Sequence, residues 1–107
     1  MKELKRSAAI IRPKRHFVKW ANANSLDDRE FSFEYFIEHY SLIILTPYYN
    51  LLERGRTANR YINWHCEDIF RDQLRGWNKD EETWPKKINS KTFKQWFTVE
   101  FVYDVAE

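Results

Sequence analysis

Cysteine, glycine and long apolar runs are all scarce in this 107-residue chain. The one cysteine, Cys66, excludes a disulfide within the chain. The apolar run at 8–11 is too short for the core of a secretion signal, and no run approaches the length of a membrane-spanning helix. We therefore expect a cytoplasmic protein with a reduced thiol and no membrane segment.

The two glycines limit which loops the chain can build. Tight turns and phosphate-cradling loops depend on glycine because it accepts backbone angles that other residues rarely adopt. The scarcity argues against a β-sandwich joined by tight turns and against a glycine-rich phosphate loop. Nucleophile–base pairs and the ligand spacings of metal sites are missing as well, so we expect no catalytic residue, no metal and no cofactor.

Aromatic residues, in contrast, make up 18% of the chain, with five tryptophans, six tyrosines and eight phenylalanines. Each ring buries a large area, so most of them are expected to fill a core. Hydrophobic residues at 43% and charged residues at 32% supply both a core and a solvated surface. A chain of this length can build one core and not two, which predicts a single domain over residues 1–107.

Apolar periodicity predicts strands separated by helices. Residues 7–13 form a short β-branched run that ends in proline, and residues 98–107 alternate between apolar and polar positions. The predicted helices each carry an apolar stripe at helical spacing and lie at 16–25, at 33–40 after a cap at Ser32, between a cap at Thr57 and a stop at Gly76, and at 91–97 after a cap at Ser90.

These elements predict a small α+β domain in the order β-α-α-β-α-α-β, with a three-stranded sheet whose helices pack mainly on one face. The connections are long enough for right-handed crossovers between strands. Residues 41–49, SLIILTPYY, hold a continuous apolar run before Pro47. This continuity predicts a central strand that is covered on both faces. The pattern leaves the strand order open.

The long predicted helix places Cys66 beside His65. Adjacent helical residues point in different directions and Cys66 falls on the apolar stripe, so we expect a core residue and not a nucleophile. His65, Asp68 and Asp72 share one side of this helix and could form half of a metal site. Because the chain has no second copy of this motif, we expect a solvated flank paired with nearby arginines instead.

Positive charge is concentrated near the N-terminus. Residues 1–20 contain seven lysines and arginines against one acid, and the remainder of the chain is net acidic. Cationic groups neutralise phosphates, and exposed aromatic rings stack on bases, so Phe17 and Trp20 would contribute only if they stay outside the core. One alternative function is therefore nucleic-acid binding by the first strand and helix, through Arg12, Lys14, Arg15 and Lys19.

The segment GWNKDEETWPKK, residues 76–87, contains two tryptophans that flank three acids. Asp80 starts a turn whose acids lie where a helix dipole favours them, and Pro85 then redirects the chain. These features predict a structural connector that Trp77 and Trp84 clamp to the core.

Acidic residues allow a further alternative, a small enzyme. Such an enzyme would hold a carboxyl group in a tryptophan-lined pocket that raises its pKa. The candidate groups are Asp80, Glu81 and Glu100.

The leading interpretation is a non-enzymatic domain that acts through contacts with an unidentified partner protein. The aromatic content is high for one small core, and exposed apolar patches usually mark interaction sites. The candidate contact residues are four aromatics with two acids as a polar rim: Tyr48, Tyr49, Trp77, Trp84, Asp80 and Glu81.

Three stretches of the chain resemble a set of small single-domain bacterial proteins. They are RSAAIIRPK at 6–14, the GWxxDExxWP pattern at 76–85 and the FxxWFxxEF pattern at 93–101. The resemblance covers most of the chain and implies a tryptophan-rich bacterial protein. It implies no particular activity, cofactor or catalytic residue, and the segment NRYINWHCED at 59–68 departs from the acid-rich helix of that set.

Overall fold

The computed structural model describes residues 6–47, 56–103 and 105, with the backbone alone for residues 56 and 57. The elements follow the predicted order of an α+β domain. They are β1 (Ser7–Pro13), α1 (Arg15–Ala23), α2 (Phe33–His39), β2 (Leu42–Thr46), α3 (Arg56–Trp77), a single 3-10 turn (Glu81–Thr83), α4 (Ser90–Trp96) and β3 (Phe97–Val102).

The three strands form one antiparallel sheet in the order β2-β1-β3. The prediction that 41–49 contains the central strand is therefore wrong, because β1 is central and β2 lies at an edge. The connection from β1 to β2 joins antiparallel neighbours and is therefore not a crossover. A long helical connection can equally return the chain antiparallel to the strand it left, and its length alone does not distinguish the two cases. Strands β2 and β3 both run antiparallel to β1 and so are parallel to each other, and the helical connection between them passes over β1. The right hand expected for that connection stays a prediction.

The helices pack mainly on one face of this sheet, as predicted. Ala9 and Ile11 of β1 belong to the buried core. Their lateral neighbours on the flanking strands pack against the same core and are Leu42, Ile44, Val99 and Phe101. Side chains of a strand alternate between faces, so the residues between these positions lie on the opposite face of the sheet. We call that opposite side the outer face.

Aromatic rings fill the space between the sheet and the helices. Phe17 of α1 is at the centre, with its ring centroid 5.4 Å from that of Phe97, 5.6 Å from Trp20 and 6.0 Å from Phe36. Tilted and edge-to-face contacts at such distances add stability beyond the area that the rings bury. The aromatic content is thus used largely inside the core, as the composition predicts.

Helix α3 contributes its predicted apolar stripe to this core. Its buried residues are Ala58, Ile62, Cys66, Ile69, Phe70 and Leu74. The helix begins at Arg56, so Thr57 is inside it and is not the N-cap. It also continues through Gly76 and ends at Trp77, after which the Asn78 amide donates to the carbonyl of Leu74. Gly76 is therefore tolerated in the last turn and does not terminate the helix.

Capping was predicted correctly for α2 and misplaced by one residue for α4. The Ser32 hydroxyl accepts a hydrogen bond from the Tyr35 amide, as expected of an N-cap. In α4 the cap is Asn89 and not Ser90, because Asn89 and Thr92 exchange side-chain-to-backbone hydrogen bonds at 3.0 Å each. Asparagine is as good a cap as serine, so the sequence alone does not choose between these adjacent residues.

Candidate functional site

The connector at 76–87 is locked to the core by its two tryptophans. Trp84 is 8% exposed, and its indole Nε1 donates to the carbonyl of Asn78 at 2.8 Å. Trp77 is half-buried, and its Nε1 donates to the carbonyl of Ala21 at 2.6 Å. A buried indole N–H needs such a partner. The predicted clamp is confirmed, whereas the expectation that Trp84 is an exposed contact residue is wrong.

The two acids of the predicted polar rim lie in the connector beside these tryptophans. Asp80 caps the 3-10 turn, because its Oδ1 accepts from the Glu82 amide at 3.1 Å. Glu81 is exposed in the same turn. Tyr48 and Tyr49 lie outside the described residues. Partner binding through these residues stays a prediction.

The four predicted phosphate-binding cations are divided among different surroundings. Arg12 pairs with Glu100 across β1 and β3. The Lys14 Nζ donates to the carbonyl of Lys94 at 3.1 Å. Arg15 and Lys19 line a cavity of about 630 Å³ beside α1, to which Arg12 and Lys14 do not contribute. The structure therefore brings two of the four cations together.

This α1 cavity is not a simple cationic site. The Arg15 guanidinium lies over the Phe33 ring, 4.7 Å from its centroid. Arg29 also lines the cavity but is paired with Asp27 through an Nε–Oδ2 hydrogen bond of 2.8 Å. Two acids, Asp28 and Glu30, line the same cavity and offset its positive charge. Attraction for a phosphate is weakened accordingly.

The aromatic residues of the basic segment do not provide stacking surfaces. Phe17 and Trp20 are both buried, and the Trp20 Nε1 donates to the carbonyl of Thr83 at 2.7 Å. Base stacking requires exposed ring faces. Nucleic-acid binding thus lacks one of the two features that motivated it and stays a prediction.

The carboxylates of the enzyme alternative lie apart from the tryptophan-lined cavities. One such cavity, of about 240 Å³, has Trp77 in its wall, and another, of about 340 Å³, is lined by Trp20 and Trp96. Neither is lined by any of the three candidate acids, Asp80, Glu81 and Glu100. The arrangement that acid–base catalysis would need is not formed at either place.

Cys66 and Asp72 of α3 both have structural surroundings. Cys66 is buried, its Sγ donates to the carbonyl of Asn63 at 3.3 Å, and burial raises the pKa of the thiol. The Asp72 carboxylate is paired with Arg75 at 2.9 Å, as expected of a solvated flank. Among the described residues, no group of three or more acids, histidines or cysteines is placed to hold a metal ion.

The exposed apolar residues are ones that sequence analysis did not single out. Ile43 and Leu45 of β2 are 67% and 56% exposed. In the strand register Ile43 lies opposite Ile10, and Leu45 lies opposite Ala8, which has Val102 on its other side. The outer face therefore carries an apolar strip that crosses the sheet. The strict alternation of exposure along β2 shows that one face of this strand is covered and the other is not.

Strand β2 also has a backbone edge along which none of the described residues pairs. It pairs with β1 along one side, and no described residue extends the sheet along the other side, which we call the free edge. The strand sequence, LIILT, contains no charge, proline or glycine. Natural sheets usually protect an edge with charged residues, proline or a bulge, because unpaired N–H and C=O groups readily accept another strand. The described part of β2 has none of these protections.

In the part of the chain that the structure describes, two other large apolar side chains are exposed singly. Trp64 on α3 and Leu26 in the α1–α2 loop are each 83% exposed. The nearest positions on the exposed side of α3 are polar, and they include Arg60 and Asp68. Isolated apolar residues are normal on protein surfaces and do not by themselves mark a site. The strip and free edge of β2 differ because they combine apolar side chains with a backbone edge that pairs with none of the described residues.

Comparison with protein-family models, with curated proteins and with solved structures gives no match for this chain. Within the described residues, no helix has both the length and the apolar character required to span a membrane. Function is therefore inferred from the geometry of the described residues alone.

Proposed function

We propose that the protein is a non-enzymatic interaction module that binds an extended polypeptide segment as an additional strand along β2. One observation carries the proposal: β2 is an uncharged edge strand whose outer side chains, Ile43 and Leu45, are mostly exposed. This proposal keeps the predicted function of protein contact and moves the contact surface from the tryptophan connector to the sheet.

Strand addition uses two sources of binding energy. The backbone of the incoming strand forms ladder hydrogen bonds with the free edge, which gives affinity with little dependence on sequence. Side chains opposite Ile43 and Leu45 add cross-strand contacts on the outer face, each worth about 0.2–1 kcal/mol. These cross-strand contacts favour a partner that has apolar or β-branched residues at alternate positions.

The dimensions of β2 restrict the partner segment. The strand spans Leu42–Thr46, and Pro47 follows it directly. Proline has no N–H group and cannot donate to a ladder, so pairing is limited on that side. The expected partner is thus a segment of about five extended residues without proline or glycine, since β-strands of this length are common recognition units. A charge opposite Ile43 would disfavour binding because it places an unpaired charge against apolar side chains.

A peptide titration tests this proposal. The probe is the peptide KTVIVTK, in which terminal lysines provide solubility around an apolar strand-forming centre. We expect saturable shifts of the backbone amide NMR signals of β2, with smaller shifts in β3 on the far side of the sheet. The double substitution Ile43→Lys and Leu45→Lys should abolish the shifts, since it introduces charges that protect an edge.

A matched control is the substitution Leu26→Lys, which changes an even more exposed apolar residue outside the sheet. It should leave the titration unchanged. Both variants should retain the wild-type free energy of unfolding to within about 0.5 kcal/mol, as is usual for exposed sites. Peptide binding that survives the double substitution, or the absence of any β2 shift in the wild-type protein, would contradict the proposal.

A further inference from the structure

We infer that the strand bound along β2 is the β2 strand of a second copy of this chain. The inference rests on the proposed strand addition and names its occupant. Four observations carry it: the register symmetry of the strand, the side on which the helices lie, the absence of charge, and the way that the strand ends.

The first observation is that β2 is complementary to itself in the antiparallel direction. If Ile44 is placed opposite its own copy, Ile43 faces Leu45 of the second copy, and Leu42 faces Thr46. Opposed residues of an antiparallel pair share one face, so the exposed pair Ile43 and Leu45 meets its counterpart on the outer face. The side chains that are most exposed in one copy therefore gain apolar neighbours in the pair.

The second observation concerns the helices. A two-fold axis perpendicular to the sheet reverses strand direction without exchanging faces. The helices of both copies then lie on the same side, and the two three-stranded sheets become one continuous antiparallel sheet. The half-buried Ile44 faces its own copy on the helical side, next to the cores of both copies.

The third observation is electrostatic. When a strand pairs with its own copy, each of its charged residues faces either the same residue or another residue of the same strand. Like charges that face each other destabilise the pair. The sequence LIILT has no charge in any position, so self-pairing meets no such repulsion. The Arg12–Glu100 ion pair on the outer face joins β1 to β3 and lies away from the free edge.

The ends of β2 define how long the pair is. In this register Pro47 faces Ser41 of the second copy, and proline cannot donate a ladder hydrogen bond. Pairing therefore covers the five residues of β2 in each copy. Such a short ladder predicts a weak and concentration-dependent dimer.

Site-specific cross-linking tests the register. Cysteine introduced at Ile44 lies opposite its own copy, at the Cα separation of about 4.5–5.5 Å that an antiparallel pair gives, which permits a disulfide. The experiment uses Ile44→Cys in a Cys66→Ala background, where no other cysteine remains. The matched control is Leu26→Cys in the same background, and circular dichroism confirms that both variants fold.

Under mild oxidation we expect Ile44→Cys to form the disulfide dimer about tenfold faster than Leu26→Cys, because pairing raises the local thiol concentration. Adding Ile43→Lys and Leu45→Lys should reduce its rate to that of the control. Sedimentation velocity of the wild-type chain over a concentration series should show a reversible monomer–dimer equilibrium, and the double lysine variant should remain monomeric.

A wild-type chain that stays monomeric over the series, together with equal cross-linking rates at the two positions, would overturn self-pairing. If the KTVIVTK peptide still binds to β2 in that case, strand addition stands and its occupant is a different protein. If the peptide also fails to bind, both the inference and the proposed function are wrong. A dimer that persists in the double lysine variant would place the interface elsewhere and would also overturn the inference.

Discussion

Ile43 of the edge strand β2 lies directly opposite Ile10 of the central strand β1, on the face of the sheet away from the helices. Ile10 is partly shielded by strands on both sides, whereas Ile43 has a strand on one side among the described residues. Their difference in exposure shows what an additional strand would change: it would give Ile43 the lateral neighbours that Ile10 already has.

The indole of Trp84 is expected to stabilise the connector through its hydrogen bond to Asn78. Trp84→Phe keeps an aromatic ring but removes the Nε1 donor, which leaves the Asn78 carbonyl without that bond. We expect the free energy of unfolding to fall by about 1–3 kcal/mol. Urea denaturation measures this change. The control Trp64→Phe alters an exposed ring and should change stability by no more than about 0.5 kcal/mol; equal losses in both variants would refute the clamp.

Asn22 is expected to hold the segment that follows α1. Its side chain accepts from the Phe31 amide and donates to the Phe31 carbonyl, at 2.9 Å in both cases. Asn22→Ala removes both bonds and should lower the free energy of unfolding by about 1–3 kcal/mol. The control Asn63→Ala removes an exposed side chain on α3 and should have little effect. Thermal denaturation compares the two variants, and an unchanged midpoint for Asn22→Ala would show that the paired bonds are unimportant.

The carboxyl group of Asp27 should titrate at unusually low pH. The pKa of Asp27 is lowered from 3.8 to about 2, first by the side-chain hydrogen bond from Arg29 and then by hydrogen bonds from the Arg29 amide and the Ser25 hydroxyl. Because the folded-state pKa is the lower one, the stabilising contribution is present above pH 3.8 and is lost as the pH falls through about 2. An NMR titration of the carboxyl carbon should give the low midpoint, and Arg29→Gln should move it towards the ordinary value. A wild-type midpoint near 3.8 would contradict the pairing.

Cys66 should react slowly with thiol reagents in the folded protein. Its side chain is buried, and burial raises the pKa of the thiol above the ordinary value of 9.0, which lowers the reactive thiolate fraction. Alkylation by iodoacetamide at neutral pH should therefore be slow and should become fast in urea. The raised folded-state pKa also means that its contribution to stability is present below pH 9.0 and is lost at higher pH. Equal alkylation rates with and without urea would contradict this placement.

The element order and the buried helix stripe were predictable because they depend on local periodicity. The strand order was not, since each strand carries the same apolar signal wherever it pairs. The error at β2 has a specific physical origin: LIILT is apolar on both faces, which is typical of a covered central strand, yet its outer residues are exposed. A sequence pattern reports which side chains are apolar and does not report whether an edge strand leaves them uncovered.

The sequence did not predict the candidate site either, because an apolar pattern does not report which side chains the fold leaves uncovered. Trp77 and Trp84 are predicted as contact residues because the aromatic content is high for one small core and exposed apolar patches usually mark interaction sites. Trp84 is instead buried with its N–H satisfied, and the most exposed tryptophan is Trp64, which lies among polar residues on α3. An indole N–H can be buried where a backbone carbonyl, such as the carbonyl of Asn78, accepts its hydrogen bond. The folded chain provides this carbonyl, and the spacing of residues in the sequence does not predict it.

Hydrogen exchange at the amides of Leu42–Thr46 tests the central claim most directly. In the isolated fold, the amides of β2 that point to the free edge should exchange rapidly. Saturating KTVIVTK, or a high concentration of the chain itself, should slow these amides selectively while those of central β1 stay equally protected. Exchange in β2 that is unaffected by peptide and by protein concentration would contradict strand addition along this edge.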